Sequence, residues 1–208
     1  MQVSHDTFKA HSEPAIAENS ANPKNLVAGS KFFTDPLHYQ FKIGTFYSTN
    51  GGQSWHDGGL LPGYENYSIT SDISFAFSPN GSLVYACVLA TDGTQSGIFV
   101  SRSRDGGKTW LNPSTVFLDT SGATFSDKPW IAVDWSHGPS RGTVYVAWNL
   151  DSNSDAIGAL AMTGGAALLA AALAAESTRV ATWVPAVLGA LGLVVVLGLL
   201  ADLLRPRG

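Results

Sequence analysis

Cysteine is nearly absent from this chain: Cys87 is the only one in 208 residues. A single thiol excludes an internal disulfide, and within an apolar strand pattern it reads as a small buried hydrophobe. The five histidines, at positions 5, 11, 38, 56 and 137, are scattered without metal-ligand spacing, so no metal site is expected. Nothing in the chain signals a cofactor. Basic charge is also scarce. Residues 1–155 carry nine Lys and Arg against fourteen Asp and Glu, net −5, with no basic stripe and no basic–aromatic interleaving, so nucleic acid is not an expected partner. The opening Met1-Gln2-Val3-Ser4-His5-Asp6 has neither a basic nor an apolar leader region, and no signal peptide is read there.

Long apolar runs are missing from the first 155 residues and crowd the rest. Residues 156–208 hold three Arg against two acids and are dominated by Ala, Leu, Val and Gly. The stretch 156–175 has no charge, although half of it is Ala. The stretch 183–204 is richer in Leu and Val, opens on Trp183 and is followed by Arg205-Pro206-Arg207. An interfacial aromatic and a positive stop are marks of a membrane span. The sequence therefore divides into 1–155 and 156–208, the latter with one or two transmembrane helices (156–175 and 183–204) and a lipid bilayer as partner.

Within 1–155 one pattern stands out. Ser48-Thr49-Asn50-Gly51-Gly52-Gln53-Ser54-Trp55 returns as Ser103-Arg104-Asp105-Gly106-Gly107-Lys108-Thr109-Trp110. Asn50 and Asp105 are short acceptors suited to backbone N–H groups in a turn. The paired glycines supply the positive φ of a tight hairpin. Trp55 and Trp110 lead into the next strand and can pack back over the turn. In this reading Ser48, Asn50, Gly52, Trp55, Ser103, Asp105, Gly107 and Trp110 have a structural duty.

The octets resemble the Asp-box, or BNR, repeat of the sialidase-like β-propellers, a resemblance covering about residues 12–150. It implies an all-β fold of four-stranded blades. Strand signals bounded by Gly, Pro, Asn and Asp group accordingly: 15–18, 25–30, 42–48 and 55–57, then 73–78, 82–91, 97–103 and a strand from Trp110, then 129–134 and 142–150. The innermost cores align as Ile16-Ala17, Phe75-Ala76 and Ile131-Ala132. The expected fold is a partial propeller of about two and a half blades, followed by the membrane helices. Closed propellers take four to eight blades.

The resemblance implies exo-glycosidase chemistry and a glycan or glycoconjugate ligand, with the propeller on the outer side of a membrane. A sialidase needs an arginine cluster for the substrate carboxylate and a Tyr nucleophile with acidic partners. Only Arg102, Arg104 and Arg141 occur in 1–155, and the Phe/Tyr-Arg-Ile-Pro motif is absent. The segment Phe125-Ser126-Asp127-Lys128-Pro129-Trp130 resembles an inter-blade loop of bacterial members. It makes Asp127 the candidate general acid and Lys128 a ligand contact. Glu65, between Tyr64 and Tyr67, is a second ligand-contact candidate. Three readings stand: a sialidase-superfamily, glycosidase-like protein that is incomplete and inactive alone; a non-catalytic glycan- or protein-binding receptor; and a truncated or fused reading frame without independent function.

Overall fold

Short apolar bursts punctuated by turn residues become strands wherever they can cover both faces. The computed structural model describes residues 3, 4, 6–8, 10–152 and 167–169, all within the compact unit Met1–Ala171. A first antiparallel meander runs β1 (Ser12–Glu18), β2 (Leu26–Asp35), β3 (Gln40–Ser48) and β4 (His56–Leu60). A second runs β5 (Ile69–Phe77), β6 (Val84–Thr91), β7 (Ser96–Ser103) and β8 (Ser114–Asp119). One parallel bridge, Phe41 to Ile69, joins β3 to β5, so the two meanders form an eight-stranded sheet. The second sheet has three strands, β9 (Thr124–Val133), β10 (Val144–Ser152) and β11 (Ala167–Leu169), in the order β11-β10-β9.

The core sits around β6, which is buried along its whole length. Val84, Ala86, Val88 and Ala90 share a cluster with Val27, Ile43, Ile73, Phe77, Phe99 and Trp110. Cys87 is also fully buried, and burial pushes its thiol pKa up. Coverage on both faces explains why 84–90 is almost continuously apolar instead of alternating. Two buried amides hold the meanders together. Asn25 donates to the carbonyls of Ser48 and Gly106 at 3.4 and 2.8 Å, and Asn19 donates to Gly81 at 3.0 Å. Buried backbone oxygens need such partners.

The observed architecture departs from the expected one. The described residues are all-β with no helix, and their sheets do not close as a propeller. Among them no helix is long and apolar enough to cross a membrane, so a lipid bilayer has no support from them as a partner. Ala167–Leu169, expected inside the helix 156–175, is instead a strand that pairs with Val146, Ala147 and Trp148. An unpaired β10 edge would expose a row of N–H and C=O groups, and the run supplies partners for them. The remainder of 156–175 and all of 183–204 lie outside the described residues.

Candidate functional site

The two octets form turns with matching hydrogen bonds at the ends of β3 and β7. Ser48 Oγ accepts from the Gly52 amide at 2.9 Å and donates to Asn50 Oδ1 at 2.9 Å, which in turn accepts from the Ser54 amide at 2.9 Å. Ser103 repeats this, accepting from Gly107 at 2.9 Å and donating to Asp105 Oδ1 at 2.8 Å. Asp105 also accepts from the Lys108 and Thr109 amides at 3.1 and 2.9 Å. Gly107 takes φ +92°, and a Cβ there would lie 2.3 Å from Val27 Cγ1. Trp55 is half-buried near the Gly52 turn, and Trp110 is buried against Phe75. These eight residues lie in or beside the two turns, and none of them lines the pocket over β1, β5 and β9.

The first strands of the two meanders and of the second sheet, β1, β5 and β9, each carry the same irregularity. Glu13-Pro14 stands opposite Ser30, Asp72-Ile73 opposite Val88, and Lys128-Pro129 opposite Trp148: two residues against one. This is a β-bulge, whose left-handed first position ordinarily belongs to glycine. Here the occupants are Glu13 at φ +51°, Asp72 at +55° and Lys128 at +49°. Side chains rarely tolerate that region, and such residues persist where the surrounding structure enforces them, often at functional sites. A bulge also re-aims its side chain, and the three charged groups meet. Lys128 Nζ lies 2.5 Å from Asp72 Oδ1 and 3.4 Å from Glu13 Oε1. Lys31 on β2 reaches Glu13 Oε2 at 2.9 Å, and Ser71 donates to that oxygen at 3.0 Å.

These contacts set the charges. Burial opposes ionisation of Glu13, but hydrogen bonds from Lys31, Asp72 and Ser71 more than reverse it, and the carboxyl is held at about 2. Asp72, only 9% exposed at its side chain, is pushed above its ordinary value by burial, against the pull of Lys128. The Lys128 ammonium is raised, chiefly by its hydrogen bond to Asp72. Two carboxyls a few ångströms apart with opposed shifts are a recognised acid–base pattern.

A pocket of about 330 Å³ opens over these strands, lined by Glu13, Asp72 and Lys128 with Ile16, Ser74, Phe75 and Trp130. The volume lies at the small end for ligand sites. Trp130 is 70% exposed and Ile16 63%. Ser74 has a buried hydroxyl without a hydrogen-bond partner. Among the described residues no group of three or more His, Cys, Asp or Glu could hold a metal ion.

The sequence-selected residues fall in different places. Lys128 is at the centre of the cluster. Asp127 is adjacent, its carboxylate 3.9 Å from Lys128 Nζ, but it does not line the pocket. Glu65 is elsewhere: exposed in the loop between β4 and β5, it accepts the Gly63 amide at 2.9 Å, and that bond lowers its carboxyl pKa. Glu13, Asp72 and Lys31 escaped the sequence reading. The signal for the first two was present, because three residues before the aligned Ile16, Phe75 and Ile131 stand Glu13, Asp72 and Lys128.

No family model matches the chain, and no curated protein does. Among solved structures, it resembles a protein of unknown function from Dyadobacter fermentans DSM 18053, with a TM-score of 0.56 and 18% identity over 74% of this chain and 47% of that one. The likeness is one of fold. Distant structural neighbours are glycoside hydrolases. One is the GH93 α-L-arabinofuranosidase of Fusarium graminearum with arabinobiose, with a TM-score of 0.43 and 16% identity over 69% and 48% of the two chains. Another is a GH62 hydrolase in complex with xylotriose, with a TM-score of 0.44 and 9% identity over 71% and 46%. The chain spans about half the length of these structures.

Proposed function

We propose that this chain is a glycan-binding, glycosidase-like part of an Asp-box protein, and that the pocket over β1, β5 and β9 is its ligand site. The observation that carries the reading is the convergence of three strained, charged bulge residues, Glu13, Asp72 and Lys128, beside an exposed tryptophan. Trp130 and Ile16 give the pocket apolar surface beside polar groups, the make-up of a ligand site, and carboxylates accept hydrogen bonds from hydroxyl-rich ligands. The paired octets, with their matching hydrogen bonds, support the Asp-box assignment.

Binding is favoured over turnover by one specific contact. Lys128 engages both carboxylates, so neither is free to act as nucleophile or base until that ammonium moves. The test is tryptophan fluorescence of the full chain titrated with a panel of neutral and acidic oligosaccharides, alongside Trp130→Ala. At least one saccharide should bind, and Trp130→Ala should weaken it about tenfold with an unchanged melting temperature. No binding across the panel, or equal binding by Trp130→Ala, would overturn the assignment. Release of free sugar by the purified chain would overturn the preference for binding.

A further inference from the structure

The charge pattern of the pocket points to a substrate class, an inference that rests on the glycan reading above. Three acids, Glu13, Asp72 and Asp127, line or border the pocket, against two bases, Lys31 and Lys128. Both ammonium groups are already engaged, Lys31 by Glu13 at 2.9 Å and Lys128 by Asp72 at 2.5 Å. The arginines of the described residues stand elsewhere. Arg102 lies on β7, Arg104 in the second octet turn, and Arg141 donates to the carbonyls of Trp135 and Ser136 at 2.9 and 3.0 Å. An acidic sugar entering the pocket would find no guanidinium fork to grip its carboxylate. It would also meet an excess of negative charge, and Glu13, held at about 2, keeps its share of that charge throughout the neutral range.

An uncharged ring makes other demands, namely acceptors and donors for its hydroxyls and an apolar surface to lie against. Glu13 has a partly exposed side chain ending in acceptors, Ser74 holds a hydroxyl still lacking a partner, and Trp130 and Ile16 present large apolar surfaces to solvent. We infer that this pocket selects an uncharged saccharide ring and turns away uronic and sialic acids.

Matched pairs test the selectivity directly. The full chain is titrated with methyl glucoside against methyl glucuronide, and methyl galactoside against methyl galacturonide, each pair differing only in the oxidation state of the exocyclic carbon. N-Acetylneuraminic acid is the third arm. The neutral member should bind about tenfold or more tightly, and Asp127→Asn should narrow the gap by strengthening the acidic member. A uronide or sialic acid that binds as tightly as the neutral sugar would overturn the selectivity and leave the glycan site standing. Failure of every saccharide to bind would overturn the glycan reading, and the selectivity with it.

Discussion

Removing the Ser103 hydroxyl should destabilise the second octet turn more than removing the Asp105 carboxylate, although the aspartate makes more hydrogen bonds. Ser103 is 0% exposed, and its Oγ satisfies the buried Gly107 amide at 2.9 Å. In Ser103→Ala that amide has no water to turn to, so the expected loss is about 1–3 kcal/mol for an orphaned buried donor. Asp105 accepts from Lys108 and Thr109 at exposed positions. Water can replace it there, and Asp105→Ala should cost only about 0.5–1.5 kcal/mol. Asp105→Asn keeps the Oδ1 acceptor, as Asn50 does in the first octet, and should fall within about 0.5 kcal/mol of the parent. Thermal unfolding of the full chain by near-UV circular dichroism ranks the three. For a unit of this size about 1 kcal/mol shifts the midpoint by roughly 2–4 °C, so the order should be resolvable. Ser48→Ala removes the matching contact to Gly52, which is only part-buried, and should cost less than Ser103→Ala. A larger loss for Asp105→Ala, or an unchanged midpoint for a folded Ser103→Ala, would refute the argument from burial.

Acid titration gives a second prediction. The Glu13 carboxyl is depressed from 4.5 to about 2, so its contribution is present above 4.5 and lost as pH falls towards 2. Since the side chain is 36% exposed, that contribution is discounted to about 1 kcal/mol. Stability curves of the parent and Glu13→Gln should therefore differ at neutral pH and converge across that window; a gap that persists to pH 2 would contradict it. Third, Gly107→Ala combines backbone strain with the 2.3 Å approach to Val27 and should cost about 2–5 kcal/mol. Gly59→Ala, at φ +74° with nothing within 4 Å, isolates strain at about 1–3 kcal/mol; equal losses in urea unfolding would remove the clash from the explanation.

Much of the strand order was legible because apolar stretches and turn residues alternate cleanly. The strands expected at 25–30, 42–48, 82–91 and 97–103 fall on β2, β3, β6 and β7. The strand read from Trp110 begins instead at Ser114, just after Pro113, which has no N–H to donate. The strand at 167–169 was hidden because an alanine-rich run has a strong local preference for helix, whereas its pairing with β10 is a long-range event. The same divide runs through the site. Asp127 and Lys128 stand out in a segment that resembles an inter-blade loop, but Asp72 and Glu13 reach Lys128 from 56 and 115 residues away. Their left-handed backbone was concealed by their own identity, since Glu, Asp and Lys occupy positions where glycine is the usual signal.

Three strands carry one backbone device with different side chains on it, and that separates the frame from the chemistry. With three like charges the equivalent positions would repel; as acid, acid and base they hold β1, β5 and β9 together. The ladder hydrogen bonds on either side of each bulge come from the main chain, so they do not depend on which side chain stands at the left-handed position. The three positions are coupled through Lys128, but each strand keeps its own main-chain ladder. A single codon change at 13, 72 or 128 would reset the sign or number of charges facing a ligand without redrawing a strand. A lineage with this scaffold could thus change what its pocket admits while keeping its sheets, and specificity would drift faster than fold.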